Sequence, residues 1–231
     1  MKLFFTLLIV SCSTIVLLLI PKFSGEINLA IHTNQFINSL LKYQLIALPI
    51  ALLVALFVWK LEPSSKHYFA KGNLNTLAQK EMWLGISGKS TWRTNGLQLL
   101  LFISIPTAIF MFLALSSTNS FNNWQWSFIP FILLLSLSNS FVEEIIFRFA
   151  IVGGLANSYN KTIVLILSAV AFGLPHYFGW PSGAIGVIMA GVLGYVLAKA
   201  SIETKGLAIA WLIHFVQDVI IFSAVFMMNV K

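Results

Sequence analysis

Apolar residues in this chain fall into long unbroken runs, and polar residues are confined to the gaps between them. Seven runs separate: Leu3–Ile20, closed by Pro21 and Lys22; Leu40–Trp59; Leu97–Leu115, with Pro106 as a kink site; Phe128–Leu155; Thr162–Phe178; Ala184–Ala200; and Leu207–Val230. About 20 apolar residues in a helix cross the hydrocarbon core of a bilayer. Runs such as Leu45–Trp59 and Leu97–Leu115 do not alternate, which excludes a β-barrel. Lipid leaves backbone polar groups no partner but one another, and helices satisfy them internally. The pattern therefore predicts an all-α polytopic transmembrane helical bundle with about seven spans, within a range of roughly six to eight.

The gaps carry the orientation. Residues 22–39 are mixed and polar, with Gly25, Glu26, Asn28, His32 and Asn38, and read as a short exposed segment. The one long hydrophilic stretch, 60–96, holds Lys60, Lys66, Lys71, Lys80, Lys89 and Arg93 against Glu62 and Glu81. Such a basic loop between spans predicts a cytoplasmic position, and places the N-terminus with Lys2 on the same side. Residues 116–127 are uncharged and hold Trp124 and Trp126, as expected of an outer interface. The fourth run is longer than one crossing needs, so it should tilt or protrude. Residues 157–161 turn the chain back, and residues 179–183 form the next turn. Gly186, Gly191 and Gly194 on the sixth run allow close helix approach. Lys199, Glu203 and Lys205 should flank a brief cytoplasmic turn. This organisation divides the chain into N-terminal spans with a basic cytoplasmic loop, 1–96, and a helical core, 97–231.

Composition agrees. The chain is 58% hydrophobic and 9% charged with a mean hydropathy of +0.90, far from the roughly one-quarter charged residues of soluble domains. The formal charge of +7 concentrates in one loop beside spans, so no nucleic-acid partner is expected. Cys12 is the single cysteine and excludes an intrachain disulfide framework or a thiolate metal cluster. It follows Ile9, Val10 and Ser11, faintly like a lipoprotein cleavage site. The apolar run continues to Ile20, however, so residues 3–21 read as an uncleaved first span.

Candidate chemistry lies in the last four runs. Seven acidic residues occur in the chain, and Glu143 and Glu144 stand together in Phe141-Val-Glu-Glu-Ile-Ile-Phe-Arg148, inside an apolar span. A carboxylate at that depth costs at least about 2.5 kcal/mol. Glu144 and Arg148, four apart, share a helix face and can neutralise each other. Glu143 points about 100° away and has no local partner. His176 lies near the end of the fifth run in Phe172-Gly-Leu-Pro-His176. His214 and Asp218, the only aspartate, lie four apart on the seventh. Packed helices can bring these groups to one cavity. A buried ion pair for Glu144–Arg148 and interhelical clamps for the others are the plainer readings. His32 and His67 lie in exposed segments and carry no role.

Glu143-Glu144-Ile-Ile-Phe-Arg148 resembles the EExxxR motif of the CAAX-protease and bacteriocin-processing family, the Abi or Rce1-like intramembrane proteases. Phe172-Gly-Leu-Pro-His176 resembles its FxxxH motif, and His214-Phe-Val-Gln-Asp218 its third motif, a histidine followed four residues later by Asn or Asp. The resemblance covers about Phe128–Val230 and does not extend to residues 1–96. Asp218 stands where the prenyl-protein proteases have Asn. The resemblance implies an intramembrane endopeptidase that cuts membrane-associated or lipid-anchored peptides. Residues 97–231 would form its catalytic core, and Glu143, His176, His214 and Asp218 its catalytic set. Glu144, Arg148 and Phe172 would support that set.

Peptide hydrolysis needs a base for water, a stabiliser for the oxyanion and an acid for the leaving amine. A carboxyl in an apolar cavity suits general acid–base work near neutrality. By the resemblance Glu143 shares the water with His176, while His214 meets the oxyanion and Asp218 fixes the orientation of His214. An ionised Asp218 would repel an oxyanion, so it should not bind one directly. No Gly-x-Ser-x-Gly motif is present, and Cys12 is isolated, which argues against an acyl-enzyme. A zinc site of His176, His214 and a carboxylate stays open, although the helical His-Glu-x-x-His arrangement is absent. Water activation without a cofactor is the favoured reading. Rival classes are a proton-coupled transporter, for which inverted repeats are missing, and a non-catalytic peptide-binding membrane protein. The expected location is a bacterial cytoplasmic membrane, with the lipid bilayer and a membrane-anchored peptide or protein as partners. His176 falls toward the outer end of its span and His214 toward the inner part of its own. A tilt or a broken helix must close that gap.

Overall fold

The structure is a computed structural model that describes residues 1–27, 30–179 and 181–229. Asn28, Trp180 and Val230, which the sequence pattern assigns to gaps and to the end of the seventh run, lie outside the described residues. The chain is a polytopic helical bundle: α1 (Lys2–Phe23), α2 (Gln35–Leu61), α3 (Trp92–Thr118), α4 (Ile129–Glu143), α5 (Lys161–Gly173), α6 (Gly183–Thr204) and α7 (Ala208–Asn229). Among the described residues seven helical segments are long and apolar enough to cross a membrane. Extended structure among them is limited to two isolated bridges, Leu77 with Thr91 and Glu81 with Ile86.

Helix boundaries move outward from the apolar runs because caps, rather than hydropathy, set them. Asn34 accepts from the backbone amides of Phe36 at 2.8 Å and Ile37 at 3.3 Å, so α2 starts five residues before its run. Asn160 accepts from Thr162 at 2.8 Å and starts α5. Side-chain oxygens at this position satisfy amides that the first helical turn cannot. At the start of α3 the Asn95 amide donates to the carbonyls of Ser90 at 3.0 Å and Thr91 at 2.9 Å. Pro21 lies inside α1 rather than closing it.

The fourth run is one segment of 28 residues, Trp126–Gly153, and it changes geometry midway. At Glu144 the α-helix widens into a π-helix, Glu144–Gly153, and all ten of its residues are buried. This segment is the centre of the molecule. Ile145, Ile146, Phe149 and Ile151 pack with Val10 and Leu17 of α1, Ala47, Ala51 and Val54 of α2, and Val164 and Phe172 of α5. Leu52, Leu53, Leu101, Phe102, Ile105 and Ile109 stay exposed, as lipid-facing side chains do.

Helices α5 and α6 approach closely because of glycine. A Cβ on Gly194 would lie 3.0 Å from Phe172 Cβ and 3.2 Å from Ala169 Cα. At Gly186 the fit is tighter: a Cβ would lie 2.0 Å from the Pro181 carbonyl oxygen and 2.6 Å from that of His176. Gly186→Ala should therefore destabilise the fold by about 1–3 kcal/mol. The measurement is thermal unfolding in detergent, and an unchanged melting temperature would refute the packing described.

Residues 60–96 are read from sequence as an exposed loop, but they fold against α6. A 3₁₀ turn spans Pro63–Tyr68, and Trp92 is fully buried. The indole N–H of Trp92 donates to Glu203 Oε2 at 2.8 Å, and the Gln79 amide donates to the same oxygen at 2.9 Å. Lys199 Nζ lies 2.7 Å from Glu203 Oε1 and 3.6 Å from Glu81 Oε2, and Lys161 also pairs with Glu203. Lys199 and Glu203 are thus buried in the last turns of α6, just before the turn at residues 205–207. A buried charge is tolerated when paired and hydrogen-bonded, and the segment supplies the partners. At the other face Lys2 and Ser64 both donate to Glu62, and these contacts hold its carboxyl below the ordinary range.

Candidate active site

Glu143 is the last residue of α4, and Glu144 opens the π-helix. Wide helices of this kind are rare and occur often at functional sites. Glu144 and Arg148 are buried and paired, with Nη2 3.1 Å from Oε1, as the i,i+4 spacing leads one to expect. The Arg148 guanidinium carbon also sits 3.9 Å from the Phe172 ring centroid, within cation–π range. Glu143 points elsewhere: its side chain is 16% exposed and lines a cavity of about 150 Å³ with Tyr43, Pro175 and His176.

His176 reaches that cavity because α5 stops short. The sequence reads one helix through Phe178, but the α-helix ends at Gly173 and a 3₁₀ turn follows, Leu174–Phe178. Pro175 lacks the amide that a continuing helix would need. The turn sets His176 Nδ1 2.7 Å from the Phe172 carbonyl oxygen, so Nδ1 carries the donating hydrogen and Nε2 is left for other chemistry. Phe172 lies between the two histidines, its ring 4.6 Å from that of His176 and 5.3 Å from that of His214. The gap between the two histidines that a regular fifth helix implies is closed by this break.

His214 is buried on α7, with Nδ1 2.8 Å from Glu144 Oε1 and Nε2 facing Glu143 Oε2 at 3.5 Å and Asp218 Oδ1 at 3.7 Å. Here the geometry departs from the expectation that Asp218 orients His214. Glu144 does so, because its carboxylate reaches Nδ1 across the helix interface while Asp218 stays beyond hydrogen-bond length. Asp218 Oδ2 accepts instead from Asn139 Nδ2 at 3.1 Å. A second cavity of about 250 Å³, mostly apolar, is lined by His176, His214, Gln217, Asp218 and Phe102. His176 therefore borders both cavities.

Sequence reasoning passed over four side chains at this cluster. Asn139 also donates to Glu143 Oε1 at 3.1 Å, and Gln44 donates to Asn139 Oδ1 at 3.2 Å. Gln217 donates to Ser104 Oγ at 2.8 Å beside the second cavity. Tyr43 borders the first. The signal for Asn139 was present, one helical turn before Glu143; Gln44 and Tyr43 come from a part of the chain without motifs.

Among the described residues no three His, Cys, Asp or Glu side chains converge so as to hold an ion.

A multi-pass membrane protein with a buried cluster of carboxylates and histidines beside two cavities is the class that fold and site define. Residues 124–220 match the family model described as Rce1-like, type II CAAX prenyl endopeptidase. All the motif residues from Glu143 to Asp218 fall inside the matched segment. No curated protein and no solved structure matches the chain.

Proposed function

We propose that this protein is an intramembrane endopeptidase that hydrolyses membrane-associated or lipid-anchored peptides with water activated by Glu143 and His176. The observation that carries the reading is that Glu143 and His176 line one cavity while His214 stands 3.5 Å from Glu143. Water held between Glu143 and His176 Nε2 attacks the scissile carbonyl carbon, and Glu143 takes its proton. The new oxyanion faces His214, whose ring Glu144 fixes through Nδ1 and which, as the imidazolium, donates from Nε2. Collapse of the tetrahedral intermediate breaks the C–N bond, and the proton on Glu143 passes to the leaving amine. Asp218, an acceptor, shapes this site without touching the oxyanion. The exposed apolar residues beside the second cavity, Phe102 and Ile188 among them, suit entry of a peptide from the bilayer. Residues 97–231 form the catalytic core in this reading, with the N-terminus and segment 60–96 in the cytoplasm of a bacterium.

The test compares the membrane proteome of cells making the wild-type protein with cells making Glu143→Gln. One peptide should accumulate uncut in the variant, and no difference would overturn the reading. Cleavage should also survive exhaustive chelation, since in this reading Glu143 and His176 activate the water unaided. Loss of cleavage on chelation, with recovery on adding zinc, would show that a metal takes part.

A further inference from the structure

Asn139 belongs to none of the recognised motifs, yet it touches more of the acidic cluster than any motif residue on its own helix. Its amide nitrogen lies 3.1 Å from Glu143 Oε1 and 3.1 Å from Asp218 Oδ2. A carboxamide has two N–H donors, so one group serves both acids. Its carbonyl oxygen accepts from Gln44 Nε2 at 3.2 Å. The flipped amide would turn its oxygen toward two acidic oxygens and its nitrogen toward another NH₂ group. Electrostatics and Gln44 thus choose the same orientation. Gln44 is buried on α2, outside the segment that matches the family model.

Both acids also crowd one imidazole nitrogen, at 3.5 and 3.7 Å from His214 Nε2. Carboxylates sharing a site repel unless donors separate them. We propose that Asn139, oriented by Gln44, is a positioning residue whose amide bridges Glu143 and Asp218 and aims Glu143 into the cavity it shares with His176. This chain has Asp at position 218, and Asn139 places beside it the amide that an Asn at that position would bring. The inference rests on the proteolytic reading for its effect on turnover; the bridge itself does not depend on that reading.

Asn139→Asp keeps the shape and replaces the donor by an acceptor. In the full chain, assayed on the peptide that the Glu143→Gln comparison identifies, it should lower kcat by about 10²-fold with KM little changed, the scale of a misplaced reacting group. Exchanging the two groups, Asn139→Asp with Asp218→Asn, should regain about tenfold of that loss. Equal turnover by Asn139→Asp and wild type, or an exchange no better than the single change, overturns the proposal. A second measurement needs no substrate and tolerates weakened folding: thermal unfolding in detergent of Asn139→Ala, Asp218→Ala and their double. Bridged residues couple, so the double should lose less melting temperature than the two singles added. Additive losses overturn the bridge. Absence of any accumulating peptide defeats the proteolytic reading alone, and the unfolding cycle still judges Asn139.

Discussion

Purified protein carrying Glu143→Gln should cleave its peptide about 10²–10⁴-fold more slowly than wild type, the range that a lost general acid–base group commands. The fold should be unaffected. A glutamine at this position still offers Oε1 to Asn139 Nδ2, which donates to that oxygen at 3.1 Å in the native site. The amide nitrogen takes the place of Oε2, which is buried 3.5 Å from His214 Nε2, at nearly the same volume. What the amide cannot do is take a proton from water and return it to the leaving amine. The check is a single-turnover rate for both proteins alongside their melting curves. A variant within a few-fold of wild type would remove Glu143 from the chemistry and leave the cluster a structural one.

Arg148→Ala should act on folding first. The guanidinium is fully buried, held by Glu144 at 3.1 Å and by the Phe172 ring. Removing one partner of a buried pair costs about 3–5 kcal/mol because the other charge is stranded. His214 remains beside Glu144 at 2.8 Å and offsets part of that penalty. Replacing both charges, with Arg148→Met and Glu144→Gln, should restore much of the stability, since apolar groups of similar volume often pack as well as a buried pair. Activity should stay low in the double variant, because His214 then lacks the carboxylate that fixes its ring. Melting temperature and monodispersity in detergent, measured beside turnover, separate the two effects. Normal folding of Arg148→Ala with turnover alone reduced would move Arg148 from support into the reaction.

How far the chain could be read follows from which forces leave a local trace. Bilayer thickness fixes the length of each apolar run, so all seven spans show in hydropathy. Glu144 and Arg148 are one turn apart, and their pairing shows in spacing. The contact between Glu144 and His214 joins residues 70 positions apart, and nothing local records it; the i,i+4 neighbour Asp218 therefore looked like the natural partner. The π-helix left no trace because the segment is buried on every side, and its apolar residues therefore show no periodic face that a change of period could shift. Pro175 did hint at the break before His176. Segment 60–96 looked like a solvated loop because its charges are counted in sequence, whereas its anchor, Glu203, lies in another helix. The charge pattern that suggests a cytoplasmic face says nothing about whether that face is folded.

That anchor has a consequence for how the protein responds to its medium. Mobile ions screen charges that water can reach and leave buried pairs largely alone. Lys199 and Glu203 have side-chain exposures of 1% and 3%, whereas Lys2 in its pair with Glu62 is 43% exposed. Raising the ionic strength therefore loosens the hold of the first helix on the end of the second. It leaves the basic segment anchored to the sixth helix through Glu203 in dilute and concentrated salt alike.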